Sequence, residues 1–357
     1  MTLNPPTRIA GTLLLALAAA GAGTLLHLPL PWMIGPLLVT AIASMRGVQT
    51  QSWNPLRNAA QWTIGSALGL YFTPQVAGLL ASLWWVIVLA VVWALALGWA
   101  FGEWMYHGQA ARLPGTEHQK RATCYFAGSI GGASEMTLLS EREGARTDLV
   151  AASHSLRLLL VTILVPFAFT FSGVHGIDPT PAGPRVVHWD GLALLALATG
   201  AGAWLMARTG RANPWFIGAL LVAMGLTIGG VELSAIPAWM TNTAQLVIGV
   251  SLGVRFEARF VHTAPFWLLS VVSGTLGMIA LSAGFAALLA LGAGVHPATM
   301  MLGTSPGGIT EMAITAKVLQ LGVPMVTALQ VCRLVAVLVL VGPLFRWRYG
   351  RDTTAPR

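Results

Sequence analysis

Two stretches of this chain place a carboxylate in a glycine-rich, otherwise apolar setting: GSIGGASEM at residues 128–136 and GTSPGGITEM at 303–312. Each is followed by an arginine inside a hydrophobic segment, Arg157 after the first and Arg333 after the second. Glu135 and Glu311 stand 176 positions apart (311 − 135), and so do Arg157 and Arg333 (333 − 157). An isolated ion within a bilayer costs ~2.5–3.5 kcal/mol on insertion scales, so each of these charges must be paired or face water. Two negative groups against two positive ones suggest mutual neutralisation. His154 and Gln330 lie three residues before the arginines and share a helix face with them.

The glycines fit such a site. Unwound backbone at membrane depth survives only where it is buried in protein or lines a wet cavity, and consecutive glycines permit positive φ and the close approach of a ligand or helix. A half-helix beginning after Gly132 or Gly308 points its partly positive N-terminus toward the membrane centre. Ser129, Gly131, Gly132, Ser134 and Arg157, with Ser305, Gly307, Gly308, Thr310, Gln330 and Arg333, are therefore expected to hold an anionic or zwitterionic solute. Glu135 and Glu311 are the expected proton or cation sites, and His154 could relay a proton or simply donate to a backbone carbonyl. The plainer alternative is that glycines pack transmembrane helix faces and a Glu–Arg pair is a buried strut. Duplication of the whole set, S-x-G-G-x-[S/T]-E-M plus a distant Arg, favours function over packing.

Composition supplies the elements that must position these residues. Of 357 residues, 55% are hydrophobic and 9% charged, against roughly 25% charged in an ordinary soluble domain. The chain reads as an all-α polytopic membrane protein. Apolar runs long enough to span a bilayer, about 20 residues as helix, occur at 9–28, 80–101, 149–171, 191–207, 266–293 and 324–345. Arg8, the apolar stretch and the small residues AAAGAGT resemble a secretory signal. The equivalent segment at 189–208 in the later half argues that the first is a retained helix.

The repeat extends beyond the glycine motifs. Pro31, Trp32, Ile34 and Gly35 correspond to Pro214, Trp215, Ile217 and Gly218, and Gln61, Ile64, Gly65, Leu68 and Gly69 to Gln245, Ile248, Gly249, Leu252 and Gly253. Residues 1–172 form the first membrane repeat and 191–357 the second, joined by a Pro- and Gly-rich periplasmic linker at 173–190. Each half has six apolar segments. If the fifth, carrying the glycines and the glutamate, breaks or re-enters, each half keeps five crossings and the second is inverted. Lys and Arg support that topology: the external connections near 29–31, 73–80, 232–239 and 293–297 contain none, leaving Arg185 and Lys317 as exceptions. About ten crossings plus two re-entrant or broken helices follow, with both termini cytoplasmic. Interrupted segments at matching places in two halves are the sequence pointer to a transporter site.

Other chemistry finds little support. The formal charge of +8 is spread over segment ends, where it serves topology and anionic headgroups rather than nucleic acid. Cys124 and Cys332 imply neither a disulfide framework nor a thiolate metal site. No nucleophile elbow, phosphate loop or zinc motif is present, so neither enzyme activity, a metal nor a cofactor is expected. Gln61 and Gln245 read as interhelical hydrogen-bond partners, Trp32 and Trp215 as interface anchors.

The pairs PWMIGPLL and PWFIGALL, followed by GSIGGASEM and GTSPGGITEM, resemble the two copies of the module that defines the bacterial AbrB family of integral inner-membrane proteins, over nearly the whole chain. The resemblance implies an architecture similar to cation/proton antiporters and related secondary transporters. The family also carries the labels ammonia monooxygenase and regulator of gene expression. The first needs a His and carboxylate ligand cluster that scattered histidines do not supply; the second is open only indirectly, without a DNA-reading surface. Pro306 stands where Ile130 does in the first copy, so the two breaks could bend differently. The expected function is coupled movement of a small anionic or zwitterionic solute, with a membrane sensor as the alternative. The expected partners are that solute, a coupling ion and the bilayer. Oligomeric state stays open, a homodimer being one candidate.

Overall fold

The computed structural model describes residues 5–174, 176, 186–210, 213–256 and 265–350, and at Ser134 the backbone alone. Most of the linker expected at 173–190 lies outside these residues. Among the described residues there are fifteen α-helices and no strand. The first half carries α1 (Pro5–Leu25), α2 (Pro31–Met45), α3 (Asn54–Gly69), α4 (Pro74–Ser82), α5 (Trp84–Gln109), α6 (Glu117–Gly128), α7 (Ala133–Arg142) and α8 (Thr147–Phe171). The second carries α9 (Trp189–Arg208), α10 (Pro214–Ile228), α11 (Ala238–Gly253), α12 (Pro265–Ala293), α13 (Pro297–Thr304), α14 (Ile309–Val318) and α15 (Val323–Tyr349).

This is an all-α polytopic membrane protein. Helices α1, α5, α8, α9, α12 and α15 are long and apolar enough to cross a membrane, and they coincide with the six apolar runs of the sequence. The other four expected crossings are shorter: α2 and α10 have 15 residues, α3 and α11 have 16. Local stops explain their length. Helices α2 and α10 each begin at a proline preceded by a left-handed residue, Leu30 (φ 50°) or Asn213 (φ 46°), because proline suits the first turn and bars a helical residue before it. Helix α3 ends at a bend of 85° into α4.

The chain divides into two compact units, each drawing helices from both repeats. The first comprises Met1–Ser82, Pro166–Phe260 and Ala313–Pro324. Within it the repeats cross: α3 packs on α10 and α11 on α2. A Cβ on Gly65 would strike the Phe216 carbonyl oxygen, and one on Gly249 the Met33 carbonyl oxygen. Gly69 lies against α10 in the same way, where a Cβ would be 2.8 Å from the Leu220 carbonyl oxygen. Small residues let these helix backbones touch, which is how helices associate where lipid removes the hydrophobic drive. Gln61 donates to the Asn213 Oδ1 at 3.2 Å, an interhelical bond as expected from its type and place.

The second unit comprises Leu83–Val165, Val261–Met312 and Met325–Arg357. Its core gathers Phe101, Met105, Phe126, Met136, Met278 and Phe345, all buried. Helix α6 starts with a capping box between Thr116 and Gln119, which satisfies two orphan backbone donors, and lies on α5, where Gly98 and Gly102 face Ser129 and Tyr125. Helices α8 and α15 bury 56% of their apolar windows inside the protein, against 22% and 17% for α1 and α9. The helices that carry the two arginines are thus the enclosed ones.

Candidate functional site

Both glycine motifs interrupt a helix where the sequence placed the break. Helix α6 ends at Gly128 and α7 starts at Ala133; α13 ends at Thr304 and α14 starts at Ile309. Each break opens on a serine in extended backbone, Ser129 at φ −56°, ψ 140° and Ser305 at φ −62°, ψ 147°. Pro306 therefore does not make the second break enter differently: proline drives its predecessor to the conformation that Ser129 reaches before Ile130.

The arginines serve the first half-helix of each pair. Arg157 donates from Nη2 to the Ser129 carbonyl at 2.8 Å, and from Nη1 to the Gly128 and Ala127 carbonyls at 3.2 and 3.3 Å. Arg333 donates from Nη1 to the Ser305 carbonyl at 2.6 Å and from Nη2 to the Gly307 carbonyl at 2.7 Å. These carbonyls would otherwise be orphans at a helix end, and a cation is favoured at that negative pole. Mutual neutralisation is not what the first half shows: no ion pair joins Glu135 to either arginine among the described residues, since the guanidinium of Arg157 is committed to backbone.

The residues one turn earlier do parallel work. His154 Nε2 lies 2.9 Å from the Phe126 carbonyl and Gln330 Nε2 donates to the Leu302 carbonyl at 2.7 Å. A carbonyl only accepts, so His154 Nε2 carries the proton. Its Nδ1 is then left to accept from Arg157 Nη2 at 2.7 Å. With both ring nitrogens bonded, His154 positions Arg157 here, and taking up a second proton would break that contact. The match in the second half is incomplete: among the described residues the buried Gln330 Oε1 and Arg333 Nε have no hydrogen-bond partner.

The glutamates belong to the second half-helices. Each sits in the first turn, of α7 or α14, where a carboxylate is favoured by the helix dipole. Each folds back over the glycine that precedes its helix: a Cβ on Gly132 would collide with Glu135 Oε2, and one on Gly308 with Glu311 Oε2. The methionines do the same one residue earlier, with a Cβ on Gly131 falling 2.8 Å from Met136 Cε and one on Gly307 2.9 Å from Met312 Cγ. None of these four glycines has positive φ, and Gly132 is at φ −70°, ψ 143°. The expectation of left-handed backbone is corrected: these positions need the absence of a side chain, because the following turn folds onto them.

The serine hydroxyls are turned to their own elements. Ser129 Oγ donates to the Tyr125 carbonyl at 2.8 Å, and Ser305 Oγ lies 3.2 Å from the Leu302 carbonyl and 3.1 Å from Met312 Sδ. Thr310 is buried in the first turn of α14; the Ser134 side chain lies outside the described atoms. Both breaks, both arginines and both glutamates fall in the same compact unit. A Cβ on Gly308 would be 3.1 Å from Leu158, the neighbour of Arg157. Sequence reasoning missed the backbone carbonyls as partners, for which no residue type gives a signal. Among the described residues no cluster of three His, Cys, Asp or Glu could hold a metal ion.

A family model described as "Transition state regulatory protein AbrB" matches residues 32–349. The chain is similar to the "Putative regulator AbrB" of Escherichia coli (strain K12), 27% identical over 324 residues that cover 89% of each chain. It is similar also to the "Uncharacterized protein YhjN" of Bacillus subtilis (strain 168), 24% identical over 369 residues that cover 93% of this chain and 91% of the other.

Proposed function

The chain belongs to the AbrB family, and from that membership together with the geometry of the two breaks we propose that it is a secondary transporter for a small anionic or zwitterionic solute, coupled to a proton or another cation. The observation that carries this reading is the buried Arg333 at the second break, whose Nε is left unbonded together with Gln330 Oε1 among the described residues. Buried polar atoms without partners are rare in proteins, and a guanidinium donor beside an amide acceptor suits a solute carboxylate with a neighbouring donor group. Glu135 and Glu311, each at a half-helix start, are the coupling groups. No enzymatic step is part of this reading. The distribution of Lys and Arg supports placement in the bacterial inner membrane with both termini cytoplasmic.

The test is solute flux into proteoliposomes, screening small organic acids and amino acids with and without a pH gradient, for the parent protein, Glu135→Gln and Glu311→Gln. Gradient-driven uptake abolished by either substitution supports coupled transport. The name of the Escherichia coli relative favours a second reading, a membrane sensor whose bound solute alters gene expression indirectly. Under that reading a solute binds without net flux, and binding persists in both glutamine variants.

A further inference from the structure

A second polar site lies in the same compact unit, away from the breaks, where three helices of membrane length end together. The C-terminal end of α5 with its following turn, the N-terminal end of α8 and the N-terminal end of α12 enclose a cavity of about 250 Å³. By the same measure a single water needs only ~10–15 Å³. Its walls include Gln109, Arg112, Arg146, Leu149, Phe266 and Trp267.

These residues are fixed, and their fixing leaves particular donors over. Arg112 lies over the Phe266 ring with its guanidinium carbon 4.7 Å from the centroid. Among the described residues no carboxylate comes within ion-pair range of it. Arg146 is clamped by Asp148, which takes Nε at 2.8 Å and Nη2 at 2.6 Å and leaves Nη1. Gln109 is buried and donates to Ser270 Oγ at 2.7 Å. Trp267 gives its one polar hydrogen to Ser153 Oγ at 2.8 Å. What the indole has left for the cavity is apolar, as are Leu149 and the Phe266 ring. Two guanidiniums beside aromatic and aliphatic walls form an amphipathic anion receptor. The ends of membrane-length helices set it at the depth of lipid headgroups, where basic pockets between transmembrane helices select anionic lipids.

We propose that this cavity binds a phosphate-bearing anion, with Arg112 and Arg146 on the phosphate oxygens and Leu149, Phe266 and Trp267 against the apolar part next to it. Guanidinium suits phosphate oxygens through its planar N–H donors, which Arg112 offers as a pair and Arg146 through Nη1 beside its Asp148 clamp. An anionic phospholipid and a soluble phosphate ester share this chemistry. The proposal is independent of solute transport at the glycine breaks.

The purified full-length protein tests it in two arms. Retention of phosphatidylglycerol against phosphatidylcholine of the same acyl chains is read by native mass spectrometry. Thermal unfolding in inorganic phosphate against chloride at matched ionic strength reads the soluble source. Arg112→Gln and Arg146→Gln are each expected to lower phosphatidylglycerol retention about fivefold. Arg208→Gln, which removes the same charge from a guanidinium stacked on Trp204, leaves it unchanged. Asp148→Asn is expected to raise retention, a gain that misfolding cannot produce. A phosphate-dependent rise in unfolding temperature that both variants lose, without lipid preference, upholds the site with a soluble ligand. Equal losses in Arg208→Gln, or indifference to both probes, overturns the proposal.

Discussion

Arg333 donates through Nη1 to the carbonyl oxygen of Ser305 at 2.6 Å. The bond has a counterpart from Arg157 to Ser129 at 2.8 Å, and acceptors and donors alike are separated by 176 positions (305 − 129 and 333 − 157). The same offset carries Phe126 to Leu302, the acceptors used by His154 and Gln330. Duplication has therefore preserved a hydrogen-bond diagram whose acceptors are main-chain atoms, which no substitution removes. The donors are the adjustable half.

Lysine at either arginine keeps the charge and loses the fork. A single ammonium cannot serve the Ser305 and Gly307 carbonyls in the directions a planar guanidinium does, and each charge-assisted bond lost is worth ~1.5–3 kcal/mol. Arg157→Lys and Arg333→Lys are expected to lower the unfolding temperature in detergent and to cut uptake at least about tenfold, since 1.4 kcal/mol is a factor of ten. Parent-like flux in both variants would remove the guanidinium fork from the mechanism.

His154→Gln should behave very differently from His154→Ala. Gln330 already performs in the second half the task His154 performs in the first, an Nε2 donation to the third carbonyl before the serine. Glutamine can make the same bond and has no titration near neutrality. His154→Gln is expected to retain folding and the pH profile of uptake, while alanine leaves the buried Phe126 carbonyl and Arg157 short of a partner, at ~1–3 kcal/mol. A flattened pH profile in the glutamine variant would support the proton-relay role of His154.

The parts legible in the sequence are those written in local pattern. The six long helices follow from unbroken apolar runs, the break before α7 and α14 from Gly131–Gly132 and Gly307–Gly308, and the repeat from a constant offset. The partners chosen in three dimensions were not legible. Arg157 and Glu135 read as an ion pair because opposite charges in an apolar segment invite pairing; main-chain carbonyls at the α6 terminus compete for the guanidinium and carry no residue code. The glycines read as left-handed backbone because that is their commonest use, whereas their neighbours Glu135 and Met136 fold onto an extended chain. Nor could a repeat boundary near 173–190 show that each compact unit takes helices from both halves, since contact between α3 and α10 is a long-range property.

Gly65→Ala and Gly249→Ala probe that long-range crossing. In both, the added methyl meets a main-chain carbonyl of the facing helix, Phe216 or Met33, and a backbone cannot yield as a side chain does. Overpacking of this kind costs ~1–3 kcal/mol, so both variants should unfold at lower temperature, by comparable amounts. Gly11→Ala and Gly21→Ala, where a Cβ meets nothing within 4 Å, serve as neutral controls. Parity among all four would mean that the close approach of α3 to α10 and of α11 to α2 does not contribute to stability.

Gly132→Ala separates the fold from the coupling group. The backbone at Gly132, φ −70° and ψ 143°, is open to alanine without strain, so the only conflict is between the new methyl and the Glu135 carboxylate. A flexible carboxylate can swing away, and the stability change should stay within ~0.5 kcal/mol, as for substitutions that touch no packed feature. The charge, however, leaves its seat at the start of α7. Gradient-driven uptake is expected to be lost, as is expected of Glu135→Gln, with the unfolding temperature near that of the parent. If Gly132→Ala transports with normal coupling, the position of Glu135 over Gly132 has no part in ion binding, and the carboxylate acts from another rotamer or only as a cap for its helix.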